Sequence, residues 1–209
     1  MNFFIIKKGT VDKYGQEYLK QDIDGCYHTN YTGHRNIGNP DYLNDLKNSF
    51  NNFSTQKLEK AINQLFTVLK TDLSQFNKSL TICVIPRSKA ENTYEHNQLL
   101  FKKVIQELIN KLNFQDGSNY IIRHTNTKTT HLAHTQYGGN GSMPYVGITK
   151  DTCTISSEVQ SKDILLIDDI YTKGVNIDED AIQALLDNGA KSVIFYAVGK
   201  TIWYIQKIQ

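Results

Sequence analysis

Cysteine, arginine and long apolar runs are all scarce in this chain of 209 residues. No apolar run approaches the roughly 20 residues that a membrane-spanning helix needs. The three cysteines, Cys26, Cys83 and Cys153, are odd in number and widely spaced, which argues against a disulfide scaffold and predicts reduced thiols in a cytoplasmic protein. The net charge is only +2, so charge gives no sign of bulk nucleic-acid binding.

What the chain does contain is typical of a globular protein with its own core. Hydrophobic residues make up 39% of it and charged residues 21%, which excludes a disordered chain, a coiled coil and a collagen-like repeat. Only three arginines stand against 20 lysines. Since lysine serves wherever any cation suffices, each arginine suggests planar, bidentate chemistry, although codon bias would give the same skew.

Hydrophobic periodicity predicts strands that alternate with helices. Strands are predicted at 3–6, 79–86, 119–124, 163–168 and 192–198, and helices at 55–70, about 96–112 and from near Ile177 to Gly189. This alternation favours an α/β fold, in which helices cover both faces of a mainly parallel twisted sheet. Residues 24–52 lack periodicity and are predicted to be irregular. We therefore expect one domain over 1–209, with an N-terminal cap or hood at 1–52 and a core at 55–200.

The most informative segment is ILLIDDIYTKGVN, residues 164–176. Four apolar residues run directly into Asp168 and Asp169, and a short loop containing Gly174 leads to the helix near Ile177. Ligands of open parallel sheets lie beyond the carboxyl ends of strands. Carboxylates there accept hydrogen bonds from hydroxyls or from water around a cation, and amides at a helix N-terminus suit a phosphate. One loop can thus hold both ends of a sugar phosphate.

This segment resembles the 5-phosphoribosyl 1-diphosphate (PRPP) binding signature of the type I phosphoribosyltransferases. The resemblance implies that Asp168 and Asp169 bind the ribose hydroxyls and contact Mg²⁺, directly or through water. It implies a catalytic role for both aspartates and for Arg87, which with Ser88 and Lys89 would form a pyrophosphate loop within 83–92. The loop that would cradle the 5′-phosphate consists of Tyr171, Thr172, Lys173, Gly174, Val175 and Asn176.

Within that family, the pattern is most similar to the competence protein F group. The matching positions are Asn97, Gln98, Arg123, Thr127 and Leu132. By the same resemblance, residues 125–145 would form a flexible lid, with Arg123, Thr127 and Lys128 as its functional residues. The general resemblance covers about residues 55–200.

The sequence also departs from the family's pattern. Lys173 and Asn176 stand where threonine is usual, although Lys173 adds charge and Asn176 can still cap the helix. Residues 178–180 are all acidic, which stabilises the helix dipole but repels a nearby phosphate. The zinc-binding cysteines of the competence group are missing, since Cys26 stands alone, and Thr130 replaces its lid glutamine.

The resemblance implies transfer of ribose 5-phosphate from PRPP to an unidentified acceptor, with Mg²⁺ as cofactor and release of pyrophosphate. Such an enzyme of nucleotide metabolism would have small-molecule partners, no membrane partner and no direct nucleic-acid partner, and a homodimer is compatible with it. A non-catalytic PRPP sensor or accessory protein, competence- or defence-associated, is the alternative. It would keep the 168–176 loop but lack turnover.

Plainer interpretations stay open for individual residues. Asp168 and Asp169 also suit a helix cap and a solvated carboxylate, Arg87 a surface cation and Arg123 a structural role. His131 and His134 with Cys26 and His28 lack a recognisable zinc spacing. Tyr27, Tyr31 and Tyr42 suit packing as well as base stacking. The segment 199–201, GKT, is not a P-loop, because Ile194 stands where its first glycine is required.

Overall fold

The computed structural model describes residues 1–11, 15–33, 36–47, 55–127 and 152–202. In chain order, the elements within these ranges are β1 (Asn2–Ile6), β2 (Ile23–Tyr31), α1 (Asp41–Lys47), α2 (Thr55–Leu73), β3 (Thr81–Val84), α3 (Leu100–Leu112), β4 (Gln115–Asp116), β5 (Ile121–Arg123), β6 (Cys153–Ile155), β7 (Asp163–Tyr171), α4 (Ile177–Asp187) and β8 (Ser192–Thr201).

Six of these strands form one sheet in the order β1-β2-β8-β7-β3-β4. Every neighbouring pair is parallel except β1 and β2, which are antiparallel. The predicted α/β fold with a mainly parallel sheet is confirmed at this level. The predicted strand at 119–124 forms as β5, but it pairs antiparallel with β6 in a separate two-stranded sheet.

The order of the strands places a topological switch point between β3 and β7. From β3 the chain passes through α3 to β4 on one side, whereas from β7 it passes through α4 to β8 on the other. Crevices at such points, beyond the carboxyl ends of the strands, are the usual ligand sites of open α/β sheets. The fold therefore directs attention to the loops that follow β3 and β7.

Helices cover both faces of the parallel strands, which explains the continuous apolar run of β7. Leu165 and Ile167 pack in the core cluster that contains α2 and α3, while Ile164 and Leu166 pack in the cluster that contains α4. A strand buried on both faces has no polar alternation, and the run predicted a buried strand for that reason. The strand is longer than predicted, because β7 continues past the acidic pair to Tyr171.

The prediction that residues 24–52 are irregular is wrong for much of that segment. β2 is a nine-residue strand parallel to β8, and α1 follows it. Its buried positions are filled largely by Gly25, Cys26 and Tyr31, so no apolar alternation is visible in the sequence. A Cβ at Gly25 would stand 2.8 Å from the ring of Phe4, so this strand position favours glycine. Residues 2–6 and 23–31 thus belong to the main sheet.

Among the residues that the structure describes, no helix combines the length and the apolar character needed to cross a membrane.

Candidate functional site

β3 and β7 lie side by side up to the point where the loop after β3 begins, and β7 then continues to Tyr171. Val84 pairs with Ile167, and the amide of Ile85 donates to the Ile167 carbonyl at 3.0 Å. Pro86 and Arg87 follow soon after the end of β3, and the acidic pair follows Ile167 within β7. The fold thus starts the two predicted ligand segments, 83–92 and 168–176, on neighbouring strands.

The acidic pair is half-buried within β7 rather than after it. Asp168 pairs with Ala197 of β8, and its Oδ1 accepts a hydrogen bond from the Asp169 amide at 2.7 Å. The alternation of side chains between the two faces of the sheet is broken at this pair. Ile167 and Ile170 are three residues apart, yet both pack in the core cluster that contains α2 and α3. The strand therefore loses its regular alternation where the two carboxylates stand.

A third carboxylate, Asp178 in the first turn of α4, lies against Asp168. It is fully buried, and neither of its oxygens has a hydrogen-bond donor among the described residues. Burial raises the pKa of Asp178 well above its ordinary value, and the charges of Asp168 and Glu179 raise it further. The uncharged form is thereby favoured, so this residue repels a nearby phosphate less than the sequence alone suggests.

Glu179 is also buried, and its pKa is raised by that burial. The hydroxyl of Tyr171 donates to its Oε1 at 2.8 Å, and this bond together with the charge of Lys173 opposes the rise. The ring of Tyr171 packs against Phe4 and Phe195. Tyr171 was predicted to be part of the phosphate loop, but its side chain packs in the core.

Residues 173–175 form a turn that follows the buried Thr172. Thr172 is buried, and its Oγ1 lies 2.6 Å from Oγ1 of Thr201 on β8. Gly174 has a φ of +86°, and no described atom lies within 4 Å of where its Cβ would stand. Such a position favours glycine and leaves the backbone open to a ligand. Lys173 and Gly174 are both exposed.

Asn176 does not act as the predicted cap. It occupies the position before α4 with a left-handed φ of 63°, and its side chain makes no capping hydrogen bond. Both polar atoms of that side chain are buried and lack a partner within the described ranges. The expectation that Asn176 caps the helix through its side chain is therefore wrong. In this left-handed conformation, the Asn176 side chain does not bond to the first amides of α4.

The loop after β3 holds Arg87 and Lys89 in defined positions. Arg87 Nη1 donates to the carbonyl of Gln98 at 2.7 Å, and its guanidinium lies 4.9 Å from the centre of the Tyr94 ring. Lys89 Nζ donates to the carbonyl of Thr127 at 2.9 Å. Burial lowers the pKa of the Lys89 ammonium.

Two residues predicted for the lid instead hold this loop from the side of β5. Arg123 is 3% exposed, and its Nε donates to the carbonyl of Arg87 at 2.6 Å. Thr127 is equally buried, and its amide and hydroxyl both donate to the carbonyl of Ser88, at 2.8 and 3.1 Å. Lys128 and the rest of the predicted lid to residue 145 lie outside the described residues, as do Thr130, His131, Leu132 and His134.

Two further residues of this loop region were not identified from the sequence. The Ala90 amide donates to Asn126 Oδ1 at 2.8 Å, and the Lys89 amide donates to the Tyr94 hydroxyl at 2.9 Å. The only sequence signal nearby is the spacing of Glu95 and Gln98, which does form a capping box. That spacing could predict the turn but not the contacts made by Tyr94.

The plainer interpretations fit several of the remaining residues. Tyr31 and Tyr42 are buried in the core, and Tyr27 is half-buried with its ring edge-on to Phe4. Cys26 is buried, with its thiol 3.6 Å from the Phe195 carbonyl, and His28 lies against Asp72. Within the described ranges, no three histidine, cysteine or acidic side chains are arranged to hold a metal ion.

No protein-family profile matches the chain, and none of the curated proteins matches it either.

Proposed function

We propose that the protein binds PRPP with Mg²⁺ in the crevice between the loops after β3 and β7, and that it transfers ribose 5-phosphate to an acceptor with release of pyrophosphate. The observation that supports this most is the meeting of a cationic loop and an acidic loop at the switch point of the sheet. A ribose with a phosphate at one end, a diphosphate at the other and a free diol matches that distribution of charge.

Each loop would bind a different part of this ligand. Asp168 and Asp169 would accept hydrogen bonds from the ribose 2′- and 3′-hydroxyls. The open turn around Gly174 would take the 5′-phosphate on its amides, with the exposed Lys173 beside it. The guanidinium of Arg87 and the ammonium of Lys89 would face the pyrophosphate.

The half-buried carboxylates of Asp168 and Asp169 are hard oxygen donors and fit Mg²⁺, either directly or through water. When bound, Mg²⁺ would neutralise charge on the pyrophosphate. In the transfer step, the C1′–oxygen bond breaks and pyrophosphate leaves with the electron pair, while the acceptor's lone pair forms the new bond to C1′. Arg87 stabilises the charge that develops on the leaving oxygen.

The experiment is a calorimetric titration with PRPP and Mg²⁺, followed by a screen for pyrophosphate release with purines, pyrimidines and amines. Saturable binding together with release in the presence of one acceptor class would support the transferase. Absence of PRPP binding would contradict the proposal as a whole.

A non-catalytic PRPP sensor is the second candidate, and one observation favours it. Arg123 and Thr127, which the family resemblance assigns to the lid, are buried under the pyrophosphate loop. They are therefore engaged in holding the protein's own backbone. A sensor would bind PRPP tightly, and no acceptor would release pyrophosphate from it.

The three cysteines are buried and form no disulfide with one another. We propose a cytoplasmic location, where thiols are kept reduced.

A further inference from the structure

Tyr94 contacts both cationic residues of the loop after β3. Its ring lies under the guanidinium of Arg87, 4.9 Å from ring centre to the guanidinium carbon. Its hydroxyl oxygen accepts a hydrogen bond from the backbone amide of Lys89 at 2.9 Å. Tyr94 follows a single 3-10 turn at Glu91–Thr93 and is half-buried, so the ring is fixed next to the loop without being part of the core.

The contacts of Tyr94 complete a set of restraints on the loop. The carbonyls of Arg87 and Ser88 also accept hydrogen bonds, from Arg123 and Thr127 respectively. Those bonds fix the backbone but leave the direction of the guanidinium plane undetermined. The ring of Tyr94 and the carbonyl of Gln98 act on the guanidinium itself. A planar cation held against an aromatic face has a fixed plane, so the directions of its N–H bonds are restricted.

We propose that Tyr94 is a positioning residue that orients Arg87 through its ring and the Lys89 backbone through its hydroxyl, so that the loop is set to receive a pyrophosphate-containing ligand. This inference rests on the proposed function for the identity of the ligand. Tyr94 makes no bond to the ligand in this scheme. It acts by removing alternative conformations of the loop before binding, which reduces the ordering cost of association.

Two substitutions separate the contributions of the ring and the hydroxyl. Tyr94→Phe keeps the ring under Arg87 and removes the acceptor for Lys89, so hydrogen exchange at the Lys89 amide should become roughly threefold to tenfold faster. Tyr94→Leu removes both contacts, and it should weaken binding of inorganic pyrophosphate with Mg²⁺ by about tenfold. Tyr120→Phe is a matched control, because Tyr120 is also half-buried and its hydroxyl donates to Glu158. It should change neither quantity.

A double-mutant cycle with Arg87→Lys distinguishes positioning from a general structural effect, with folding of each variant checked by thermal unfolding. Lysine presents no plane to the ring, so Tyr94→Leu should cost several-fold less binding in the Arg87→Lys background than in wild type. Equal losses of pyrophosphate binding in both backgrounds would overturn the role of Tyr94 but not the proposed function. Wild-type pyrophosphate affinity in folded Tyr94→Leu would do the same. If the wild-type protein bound neither pyrophosphate nor PRPP, the proposed function would fail and this inference with it.

Discussion

Asp72, near the end of α2, is a carboxylate buried in the core and held by two partners. Its Oδ2 lies 3.0 Å from Nδ1 of His28 and accepts from the Tyr196 hydroxyl at 2.9 Å. Burial alone would raise the pKa of Asp72, but the hydrogen bonds from His28 and Tyr196 outweigh it and hold the pKa below its ordinary value. The charged form is therefore stabilised in the folded protein relative to the unfolded chain.

This depressed pKa predicts how stability depends on pH. A folded-state pKa below the unfolded value contributes stability above the unfolded pKa, and that stability is lost as the pH falls through the folded pKa. Asp72→Asn should lower the free energy of unfolding at pH 7 by about 1–3 kcal/mol, because hydrogen bonds to a charged group are lost. Urea unfolding at pH 7 and at pH 3 measures this. The difference from wild type should shrink at pH 3, and an equal difference at both pH values would contradict the assignment.

Arg87 offers the second test at the scale of one residue. If it stabilises leaving pyrophosphate, its bonds strengthen as the C1′–oxygen bond breaks. Arg87→Lys should then reduce turnover much more than PRPP affinity, because lysine cannot make two parallel hydrogen bonds to the developing anion. Steady-state kinetics with titration of PRPP binding gives both quantities. In a sensor, the substitution would change binding alone.

At the scale of elements, the first turn of α4 carries buried acidic residues beside the acidic end of β7. Burial and neighbouring carboxylates raise the pKa of Asp178 in the folded protein. The protonated side chain therefore contributes to the stability of the fold at low pH, and this contribution is lost as the pH rises through the folded-state pKa. Asp178→Asn keeps the shape of the side chain and removes the charge.

We therefore predict that Asp178→Asn raises the melting temperature, and that the gain is larger at pH 8 than at pH 5. A gain of 1 kcal/mol corresponds to about 2–4 °C for a chain of this size. Asp187→Asn, at the exposed other end of α4, is the matched control, and its effect should be small at both pH values because its pair with Lys20 is exposed. A lower melting temperature for Asp178→Asn would show that its charged form stabilises the fold.

The elements also show what the sequence can and cannot predict. β7 was predictable because burial on both faces requires a continuous apolar run, and Gly189 marks the end of α4 with a left-handed φ of 93°. β2 was not predictable, because Tyr, His and Thr at its half-buried positions conceal any alternation. The order of the strands and the pairing of β5 with β6 depend on contacts between distant segments, which periodicity does not report.

The candidate site also has a part that the sequence could predict and a part that it could not. The acidic pair and Gly174 lie close together in sequence, so their motif was visible, and the fold places them in β7 and in the turn that follows it. The contacts that hold the other loop are long-range: Thr127 reaches Ser88 across 39 residues. No local pattern indicates such a contact. The sequence therefore predicted a lid for Arg123 and Thr127, and the structure shows both buried against the loop after β3.

At the scale of the whole molecule, the sheet gathers two loops from separate parts of the chain at one edge. The loop after β3 contributes cations, and β7 with its following turn contributes carboxylates and open amides. The central claim is that these loops together bind PRPP, a ribose that carries a phosphate at one end and a diphosphate at the other. Removing the charge of the acidic pair tests the claim, and folding of the variant must be checked because Asp168 lies against the buried Asp178.

The most direct measurement is a calorimetric titration of Mg²⁺-PRPP into wild-type protein and into the double variant Asp168→Asn with Asp169→Asn. Loss of charge-assisted hydrogen bonds to the ribose should weaken binding by more than tenfold, about 1.4 kcal/mol or more. Inorganic pyrophosphate, which lacks the ribose, should lose much less affinity in the same variant. Equal PRPP affinity in wild type and in a folded double variant would contradict the account.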